Sequence, residues 1–167
     1  MEYSVQVHPF PPLWDAGSRV LILGSFPSVK SREAEFFYAH PQNRFWPLLA
    51  ALFGAPVPRT REEKAALALS HRLALWDVVG RCEIAGSSDA SIRAVEPNDL
   101  RPILAGAEIR AIFCNGGASW DYYRRLCREP LGREAVKLPS TSPANARWTL
   151  PALTDAWREA IFPYLEA

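Results

Sequence analysis

Residues that could do chemistry lie in three short polar loops of this sequence. The first loop has two parts, Gly24-Ser25-Phe26-Pro27-Ser28 and Tyr38-Ala39-His40-Pro41-Gln42-Asn43. The second is Asn115-Gly116-Gly117, and the third runs over residues 139–145. Amides and hydroxyls dominate these loops, and backbone N–H groups at the turns add further donors. Such groups can bind a polar ligand, orient a water molecule or contact phosphate.

The sequence lacks the residues that several other classes of enzyme and metal site require. No serine lies in a nucleophile elbow, which argues against a serine hydrolase. Cys82, Cys114 and Cys127 are odd in number and lack C-x-x-C spacing, so the sequence encodes neither a disulfide framework nor a zinc or iron–sulfur site. We therefore expect buried, inert thiols, no metal and no cofactor. A nucleoside hydrolase or phosphate-binding enzyme would need an Asp cluster or a Gly-rich loop, and the sequence has neither.

Short apolar runs before each loop predict the strands that position them. Strands are predicted at residues 19–23, 109–114 and 135–138, each ending in a turn rich in Gly, Ser or Asn. Helices are predicted at residues 44–53 and 153–164. A third begins at residue 61 after a capping box of Thr60 and Glu63, a fourth opens at 97–99 and runs through 104, and a fifth follows the second loop and ends at about residue 128. Residues 73–79 fit a strand or a short helix, and residues 5–12 fit an irregular lead-in.

Strands that alternate with helices predict an α/β fold with a parallel sheet covered on both faces. The carboxyl ends of parallel strands meet at one edge, where open sheets bind their ligands. We therefore expect the three loops to form a single cleft, although they are more than a hundred residues apart in sequence.

Composition sets outer bounds on the protein. With 167 residues and 49% hydrophobic content, the chain suits one domain over residues 1–167. No segment approaches the ~20 apolar residues of a membrane span, and the N-terminus lacks the profile of a secretory signal. We expect a cytoplasmic monomer. The net charge of +1 by itself does not indicate a nucleic-acid partner.

The three loops also resemble a known family. Gly-x-x-Pro-Ser at residues 24–28 and His-Pro-x-Asn-Arg-Phe-Trp at 40–46 resemble the uracil-DNA glycosylase superfamily, specifically its hypoxanthine (deoxyinosine) DNA glycosylase branch. Leu138-Pro139-Ser140-Thr141-Ser142-Pro143-Ala144-Asn145 resembles the second signature, a loop that enters the DNA minor groove. Cys114-Asn115-Gly116 resembles the strand-end asparagine of the base pocket. The resemblance implies a three-layer αβα sandwich with a short, mostly parallel central sheet.

The resemblance also implies roles for individual residues. In mismatch-specific relatives the third residue of the first motif is the catalytic Asn, and here that position is Phe26. The hypoxanthine branch has its candidate in the downstream segment, which makes Asn43 the expected catalytic residue. Ser25 and Phe26 would bind the leaving base through backbone N–H groups, Tyr38 would stack on it, and Asn115 would read its edge. For both Asn residues, an ordinary turn or cap is the competing interpretation.

A second group of residues is expected to contact DNA. Its members are Ser28, His40, Ser140, Thr141, Ser142, Pro143, Asn145 and Arg147. The stretch from Thr141 to Asn145 would fill the space left by an extruded base. Turn chemistry is the alternative for the serines, and His40 could instead brace its own loop.

Two carboxylates and two histidines are not assigned to the base pocket or to the DNA contacts. Asp77 and Asp89 are predicted to cap local turns, with Asp89 as the next candidate to activate water. His8 and His71 are predicted to be isolated.

The implied activity is that of a monofunctional DNA glycosylase. It would flip out a deaminated base, hypoxanthine first and uracil second, and hydrolyse its bond to the sugar, leaving an abasic site for base excision repair. Lys30 is the nearest lysine to a strand-end loop, so a Schiff base is not expected. The alternative is a glycosylase-like module that binds DNA without catalysis, which the Phe26 replacement would mark.

Overall fold

The structure, a computed structural model, describes residues 2–86 and 89–166, with only the backbone of Asp89. Its strands are, in chain order, β1 (Tyr3–Val7), β2 (Val20–Gly24), β3 (Leu73–Asp77), β4 (Val79–Ala85), β5 (Arg93–Pro97), β6 (Ala111–Asn115) and β7 (Val136–Leu138). Its helices are α1 (Val29–Ala34), α2 (Phe45–Phe53), α3 (Arg61–Ser70), α4 (Arg101–Gly106), α5 (Gly117–Leu126), α6 (Arg128–Leu131) and α7 (Leu150–Leu165).

A parallel four-stranded sheet forms the centre of the fold, in the order β3-β2-β6-β7. Strand β2 pairs on both sides, with Val20 opposite Leu73 on one neighbour and Ala111 on the other. The four residues from Val20 to Leu23 are fully buried. A strand paired on both edges and covered on both faces must be apolar throughout, which is why this run was readable in the sequence.

Helices flank this sheet, and their apolar sides complete the core. Helices α2 and α7 pack together, with the buried rings of Phe45 and Trp157 6.0 Å apart in an edge-to-face arrangement. Helix α3 lies against β3, and α5 against β6 and β7. The α/β fold predicted from the sequence, with helices around a mostly parallel sheet, is confirmed. The free thiols of Cys82, Cys114 and Cys127 are buried, as predicted.

Local capping signals fix two of the helices where the sequence predicted. Gly54 ends α2 in a left-handed conformation, with φ of 62°. At the start of α3, the Thr60 hydroxyl accepts the Glu63 N–H at 3.1 Å, and the Glu63 carboxylate accepts the Thr60 N–H at 3.4 Å. The predicted capping box is therefore confirmed.

A second, antiparallel sheet of order β1-β4-β5 corrects the interpretation of the N-terminus. The prediction of an irregular lead-in over residues 5–12 is wrong for residues 5–7, because Tyr3–Val7 pairs with β4 from Tyr3 opposite Ala85 to Val7 opposite Arg81. Residues of β1 are largely exposed, so no apolar run marked it as a strand. Tyr3, Val5 and Val7 nevertheless alternate with Ser4 and Gln6, and this period of two is the signal by which the strand could have been predicted.

The ambiguous segment at residues 73–79 is extended. It contains β3 and, after Val78 alone, the start of β4, so the chain leaves one sheet and enters the other within a single residue. The helix after Gly116 ends at Leu126, with the short α6 beyond it. Ser87 and Ser88 of the predicted loop lie outside the described residues.

The three polar loops follow β2, β6 and β7 at the carboxyl edge of the parallel sheet, as predicted. Gly116 turns the second loop with φ of 94°, and its Cα lies so close to the third loop that an added Cβ would meet Ser140 Cβ at 3.0 Å. Within the described ranges, no helix is both long and apolar enough to span a lipid bilayer.

Candidate active site

The three loops enclose a cavity of about 390 Å³ at this edge of the sheet. Its lining includes most of the residues predicted to form the site: Ser25, Phe26, Ser28, Tyr38, His40, Asn43, Asn115, Ser140, Thr141, Ser142 and Pro143. Asn145 lines an adjoining, more open cleft beside Lys137 and Trp148. Arg147 is exposed and lines neither. The structure thus gathers residues from four segments around one cavity.

A buried hydrogen-bond network centred on Thr141 joins the three loops. The Thr141 hydroxyl donates to Asn43 Oδ1 at 2.8 Å and accepts from Asn115 Nδ2 at 3.0 Å. The Thr141 N–H donates to Asn115 Oδ1 at 3.0 Å. Because Thr141 is fully buried, the prediction that it contacts DNA as part of a plug is wrong. The plug predicted from the sequence can begin only at Ser142.

Asn43 keeps one free end toward the cavity. Its Oδ1 accepts the Phe45 N–H at 2.9 Å as well as the Thr141 hydroxyl, so both lone pairs of the oxygen are occupied. The backbone N–H of Phe45 can only donate, which fixes the orientation of the amide. No acceptor in the described part of the chain takes the Nδ2 protons. Asn43 therefore offers donors and no acceptor to a molecule in the cavity.

Asn115 is held more completely than the sequence suggested. Both its oxygen and one Nδ2 proton bind Thr141, which leaves a single N–H for another partner. The amide was predicted to present a donor and an acceptor together to the base edge. That expectation needs correction, because the Asn115 oxygen faces the Thr141 backbone. Its clear structural effect is to fix the third loop against the second.

Within the described residues, four Phe and Tyr rings border the cavity, and Tyr38 and Phe26 are the two that belong to the first loop. Tyr38 stacks on the buried ring of Phe45, with centroids 4.0 Å apart and planes at 21°, so one face rests on the core. Its backbone is in the left-handed region, with φ of 51°, which is uncommon for a bulky residue. Phe26 lines the same cavity, and the Arg32 guanidinium lies 5.6 Å from its centroid. Both rings are only partly buried.

The Tyr38 hydroxyl is buried, and no contact within the described residues meets full hydrogen-bond geometry, although the Asn115 amide lies close enough to lower its pKa. Burial raises its pKa far above the usual range, and the nearby Asp77 carboxylate raises the pKa further. The group is therefore a neutral O–H at physiological pH. An unpaired buried hydroxyl beside a cavity is costly unless something in the cavity binds it.

Backbone donors lie at the first turn of the site. The carbonyls of Gly24 and Ser25 accept N–H groups from Val78 and Val79 at 2.9 Å, which anchors this turn to the neighbouring strands. The N–H groups of Ser25 and Phe26 donate to no acceptor in residues 2–86 and 89–166. They are the free donors that the sequence placed at this position.

His40 braces its loop and still has one free donor. Its Nδ1 accepts the Gln42 N–H at 3.1 Å, so in the neutral ring the proton is on Nε2. His40 therefore braces its own loop, which was one of its two predicted roles. Its Nε2–H remains available at the cavity wall.

The serines of the site have turn and cap geometry. Ser28 caps α1 by accepting the Ser31 N–H at 3.2 Å. Ser140 Oγ accepts the Ser142 N–H at 3.1 Å, and Ser142 Oγ accepts the Ala144 N–H at 3.2 Å. The hydroxyls of Ser140 and Ser142 each keep a proton that they can donate elsewhere, whereas Ser28 donates its proton to Ser31 Oγ.

Arg44 holds the third loop in place. Its guanidinium donates to the carbonyls of Ser142 at 3.0 Å and Asn145 at 2.9 Å, and also to the carbonyl of Trp148. From the other side, Trp157 Nε1 donates to the Pro139 carbonyl at 3.0 Å. The loop is therefore fixed at both ends, and Arg44 is committed to backbone rather than free for phosphate.

A buried pair at the cavity was not foreseen. His8 Nε2 lies 2.7 Å from Asp77 Oδ2, and both side chains are almost completely buried. Asp77 lines the cavity at the end of β3, so its interpretation as a cap is wrong, and His8 is not isolated. The two residues are 69 positions apart and meet because β1 pairs with β4, directly after β3. The side chain of Asp89, the reserve candidate, lies outside the described residues.

Comparison with known proteins agrees with this geometry. The family model of the Uracil DNA glycosylase superfamily matches residues 11–166. The chain belongs to the uracil DNA glycosylase superfamily. The family predicted from the three loop motifs is thereby confirmed. The match spans all three loops.

Two relatives in this superfamily carry the name hypoxanthine DNA glycosylase. One, from Methanosarcina acetivorans, is 34% identical over 84% of this chain and 89% of its own length. The other, from Methanosarcina barkeri, is 32% identical over 90% of this chain and 95% of its own length. A solution NMR structure described as a uracil DNA glycosylase from M. acetivorans matches 98% of this chain and all of its own, with a TM-score of 0.80 and 31% identity.

Proposed function

We propose that this DNA glycosylase excises hypoxanthine first and uracil second, acting as a cytoplasmic, single-domain monomer. It would extrude the damaged nucleotide from the duplex, hydrolyse the bond between base and sugar, and leave an abasic site. The observation that carries the proposal is the cavity of about 390 Å³, at which free amide and backbone donors face partly buried aromatic rings. The two relatives named hypoxanthine DNA glycosylase support the choice of base.

The attacking water would be positioned by Asn43. A water that accepts an Nδ2 proton has a second lone pair, which can face C1′ of the sugar. Asn43 cannot remove a proton from that water, because an amide is not a base at neutral pH. As the bond from the water oxygen to C1′ forms and the bond from C1′ to the base breaks, the water loses a proton to solvent and the departing base takes one up, so both products are neutral. The contribution of Asn43 is orientation, which is worth a large factor when the geometry is rigid. The two bonds to Asn43 Oδ1 supply that rigidity.

The departing base gains negative charge as its bond to the sugar breaks. The free N–H groups of Ser25 and Phe26 can donate to its carbonyl oxygen, and this attraction grows as the charge develops. Tyr38 can stack on the base from one side, since its other face is supported by Phe45. Phe26 can close the opposite side of the cavity.

Contacts with the DNA strand would come from the rim. We assign them to Ser28, His40, Ser140, Ser142, Pro143, Asn145 and Arg147. Hydroxyls, the His40 Nε2–H and the exposed Arg147 suit phosphate oxygens, which position a duplex without reading its sequence. No lysine lines the cavity in the part of the chain that the structure describes, which supports a monofunctional reaction without a Schiff base.

A strand-cleavage assay with Asn43→Ala tests the proposal. Purified protein is incubated with end-labelled duplexes that contain one hypoxanthine, uracil or xanthine, and alkali then cuts any abasic site. We expect alkali-dependent product on hypoxanthine, a smaller amount on uracil, and a loss of ~100-fold in Asn43→Ala, as for other positioned catalytic donors. Asp155→Asn, an exposed change on α7, is the matched control and should cleave normally.

Three results would contradict parts of the proposal. Full activity in Asn43→Ala would remove the catalytic assignment, and a covalent complex trapped by borohydride would contradict the monofunctional reaction. Salt-sensitive binding to the damaged duplex without any abasic product would select the non-catalytic binding module.

A further inference from the structure

We propose that Asp77, held by His8, reads the base in the cavity by accepting the ring N–H that deamination creates. The inference rests on the proposed function for its ligand and assigns base recognition to two residues outside the motifs that identify the family. Its evidence is the geometry around the Asp77 carboxylate, whose two oxygens have different surroundings.

His8 makes Asp77 Oδ1 an acceptor whatever the charge of the pair. His8 Nδ1 lies 2.9 Å from the Phe10 carbonyl, which cannot donate, so Nδ1 carries a proton. One further proton then lies between His8 Nε2 and Asp77 Oδ2 at 2.7 Å. If Nε2 holds it, Asp77 is a carboxylate, and if Oδ2 holds it, Oδ1 is the carbonyl oxygen of an acid. In both cases Oδ1 has lone pairs and no proton.

Asp77 Oδ1 is directed to the part of the cavity beside Gly24 and Tyr38. A Cβ built on Gly24 would lie 2.3 Å from Oδ1 and 3.3 Å from the Tyr38 hydroxyl. Within the described residues, the carboxylate hydrogen bond of Asp77 is made by Oδ2 to His8, and no donor reaches Oδ1. The Tyr38 hydroxyl is buried, and no contact of it meets full hydrogen-bond geometry. An unpaired acceptor and an unpaired donor thus face one confined space, which is a binding site for a ligand with both functions.

The products of base deamination have that combination. Adenine has a ring acceptor at N1 and an exocyclic amino group, whereas hypoxanthine has an N1–H donor and a carbonyl oxygen at C6. Uracil differs from cytosine in the same way at N3 and C4. Oδ1 would bind the new N–H, and the lone pair at N1 of adenine would repel it. Guanine also has N1–H, so this contact separates hypoxanthine from adenine and not from guanine.

The anchor of Asp77 is built into the fold. His8 directly follows β1, and its backbone N–H donates to the Gly80 carbonyl at 2.8 Å. Asn98 Nδ2 donates to the Asp77 backbone carbonyl at 2.8 Å and fixes the end of β3. The antiparallel sheet, which also contacts the first motif through the Val79 N–H and the Ser25 carbonyl, thereby sets the position of a cavity residue.

Two substitutions at position 77 separate an acceptor from a charge. In Asp77→Asn, the amide nitrogen can donate to the free lone pair of His8 Nε2, which leaves the amide oxygen toward the cavity. We expect this variant to retain base discrimination. Asp77→Leu fills a similar volume without an acceptor, so discrimination should be lost. Asp155→Asn is the control, and thermal unfolding checks that each variant is folded.

Binding is the readout, so that the result does not depend on catalysis. Duplexes carry one non-cleavable 2′-fluoroarabino nucleotide with hypoxanthine, its 1-deaza analogue, which has C–H in place of N1–H, or adenine. Wild type should prefer hypoxanthine to the 1-deaza analogue and to adenine by ~10- to 100-fold, the range of a buried hydrogen bond to a charged partner. Asp77→Asn, whose acceptor is neutral, should keep a preference of ~5- to 10-fold. Asp77→Leu should bind all three within about threefold of one another.

Three binding results would overturn the inference. Equal binding of the three duplexes by the wild type, or unchanged preference in Asp77→Leu, would show that Asp77 does not read the base. Loss of preference in Asp77→Asn as well as in Asp77→Leu would show that charge matters instead. Preference for hypoxanthine without any base release by the wild type would uphold the reading by Asp77 while rejecting the proposed reaction.

Discussion

A hydrogen bond from the Thr141 hydroxyl helps to fix the orientation of the Asn43 amide, the candidate catalytic group. The Thr141 hydroxyl fills the second lone pair of Asn43 Oδ1, while the Phe45 N–H fills the first. An amide fixed through its oxygen cannot rotate to present that oxygen to the cavity. The position of the Nδ2 donors therefore depends on a residue of the third loop, 98 positions along the chain.

Thr141→Val tests this positioning role. The change keeps the side-chain volume and removes the hydroxyl, so Asn43 loses one donor and Asn115 Nδ2 loses its acceptor. We expect base release to slow by ~10-fold and the unfolding free energy to fall by about 1–3 kcal/mol, the range for an unsatisfied buried polar group. Single-turnover rates and urea unfolding measure the two effects.

Thr141→Ser is the matched control, because it restores the hydroxyl without the methyl group. It should recover most of the rate. If Thr141→Val lowered stability and left the single-turnover rate unchanged, Thr141 would be a structural residue only.

At the scale of elements, the third loop depends on one side chain beside the first. Arg44, which directly follows the first loop, donates to two carbonyls of the third loop, at Ser142 and Asn145, and to the Trp148 carbonyl beyond it. The planar guanidinium suits several acceptors in fixed directions, which a lysine ammonium cannot reproduce. We therefore regard the orientation of the rim as a consequence of hydrogen-bond geometry rather than of positive charge.

Substitution of Arg44 should loosen the loop with or without loss of charge. In both Arg44→Met and Arg44→Lys we expect amide hydrogen exchange at residues 142–148 to accelerate by at least ~10-fold, since hydrogen bonds to a charged group contribute about 1.5–3 kcal/mol each. Arg158→Met, on the surface of α7, is the control. Wild-type exchange in Arg44→Lys would assign the effect to charge.

Local signals explain which elements could be predicted from the sequence. The buried run from Val20 to Leu23, the Gly54 stop and the Thr60 capping box are all encoded within a few residues. The three loops were predictable because each directly follows a strand of one parallel sheet. Strand β1 was missed although Tyr3, Val5 and Val7 alternate with polar residues. The His8–Asp77 pair could not be predicted, because it depends on antiparallel pairing between segments far apart in sequence.

For the molecule as a whole, buried acids of high pKa limit stability in alkali. Burial raises the pKa of the Cys114 thiol to about 12 and that of the Cys127 thiol to about 11. Both values lie above the ordinary 9.0, so the folded chain keeps protons that the unfolded chain releases. The unfolding free energy should therefore be unaffected by these thiols below pH 9 and fall as pH rises toward 12.

Urea unfolding between pH 8 and 11 measures this loss. Each thiol contributes at most about 1.4 kcal/mol per pH unit, so Cys114→Ala should make the decline shallower by up to that amount. The comparison is between slopes, because the substitution also removes packing atoms. Asp155→Asn should leave the slope unchanged, and an identical slope in Cys114→Ala would show that the thiol does not titrate differently on unfolding.

Because Gly24 has no Cβ, the residues allowed at positions 24 and 77 depend on each other. A methyl group at position 24 cannot coexist with the Asp77 carboxylate in its present place, because the two would approach to 2.3 Å. Residue 77 must therefore become shorter or move before Ala can replace Gly24. A shorter residue 77, in contrast, can appear while position 24 is still Gly. Gly24 thus records the presence of a carboxylate 53 residues away, and the two positions form an epistatic pair that a family alignment should show as changing together.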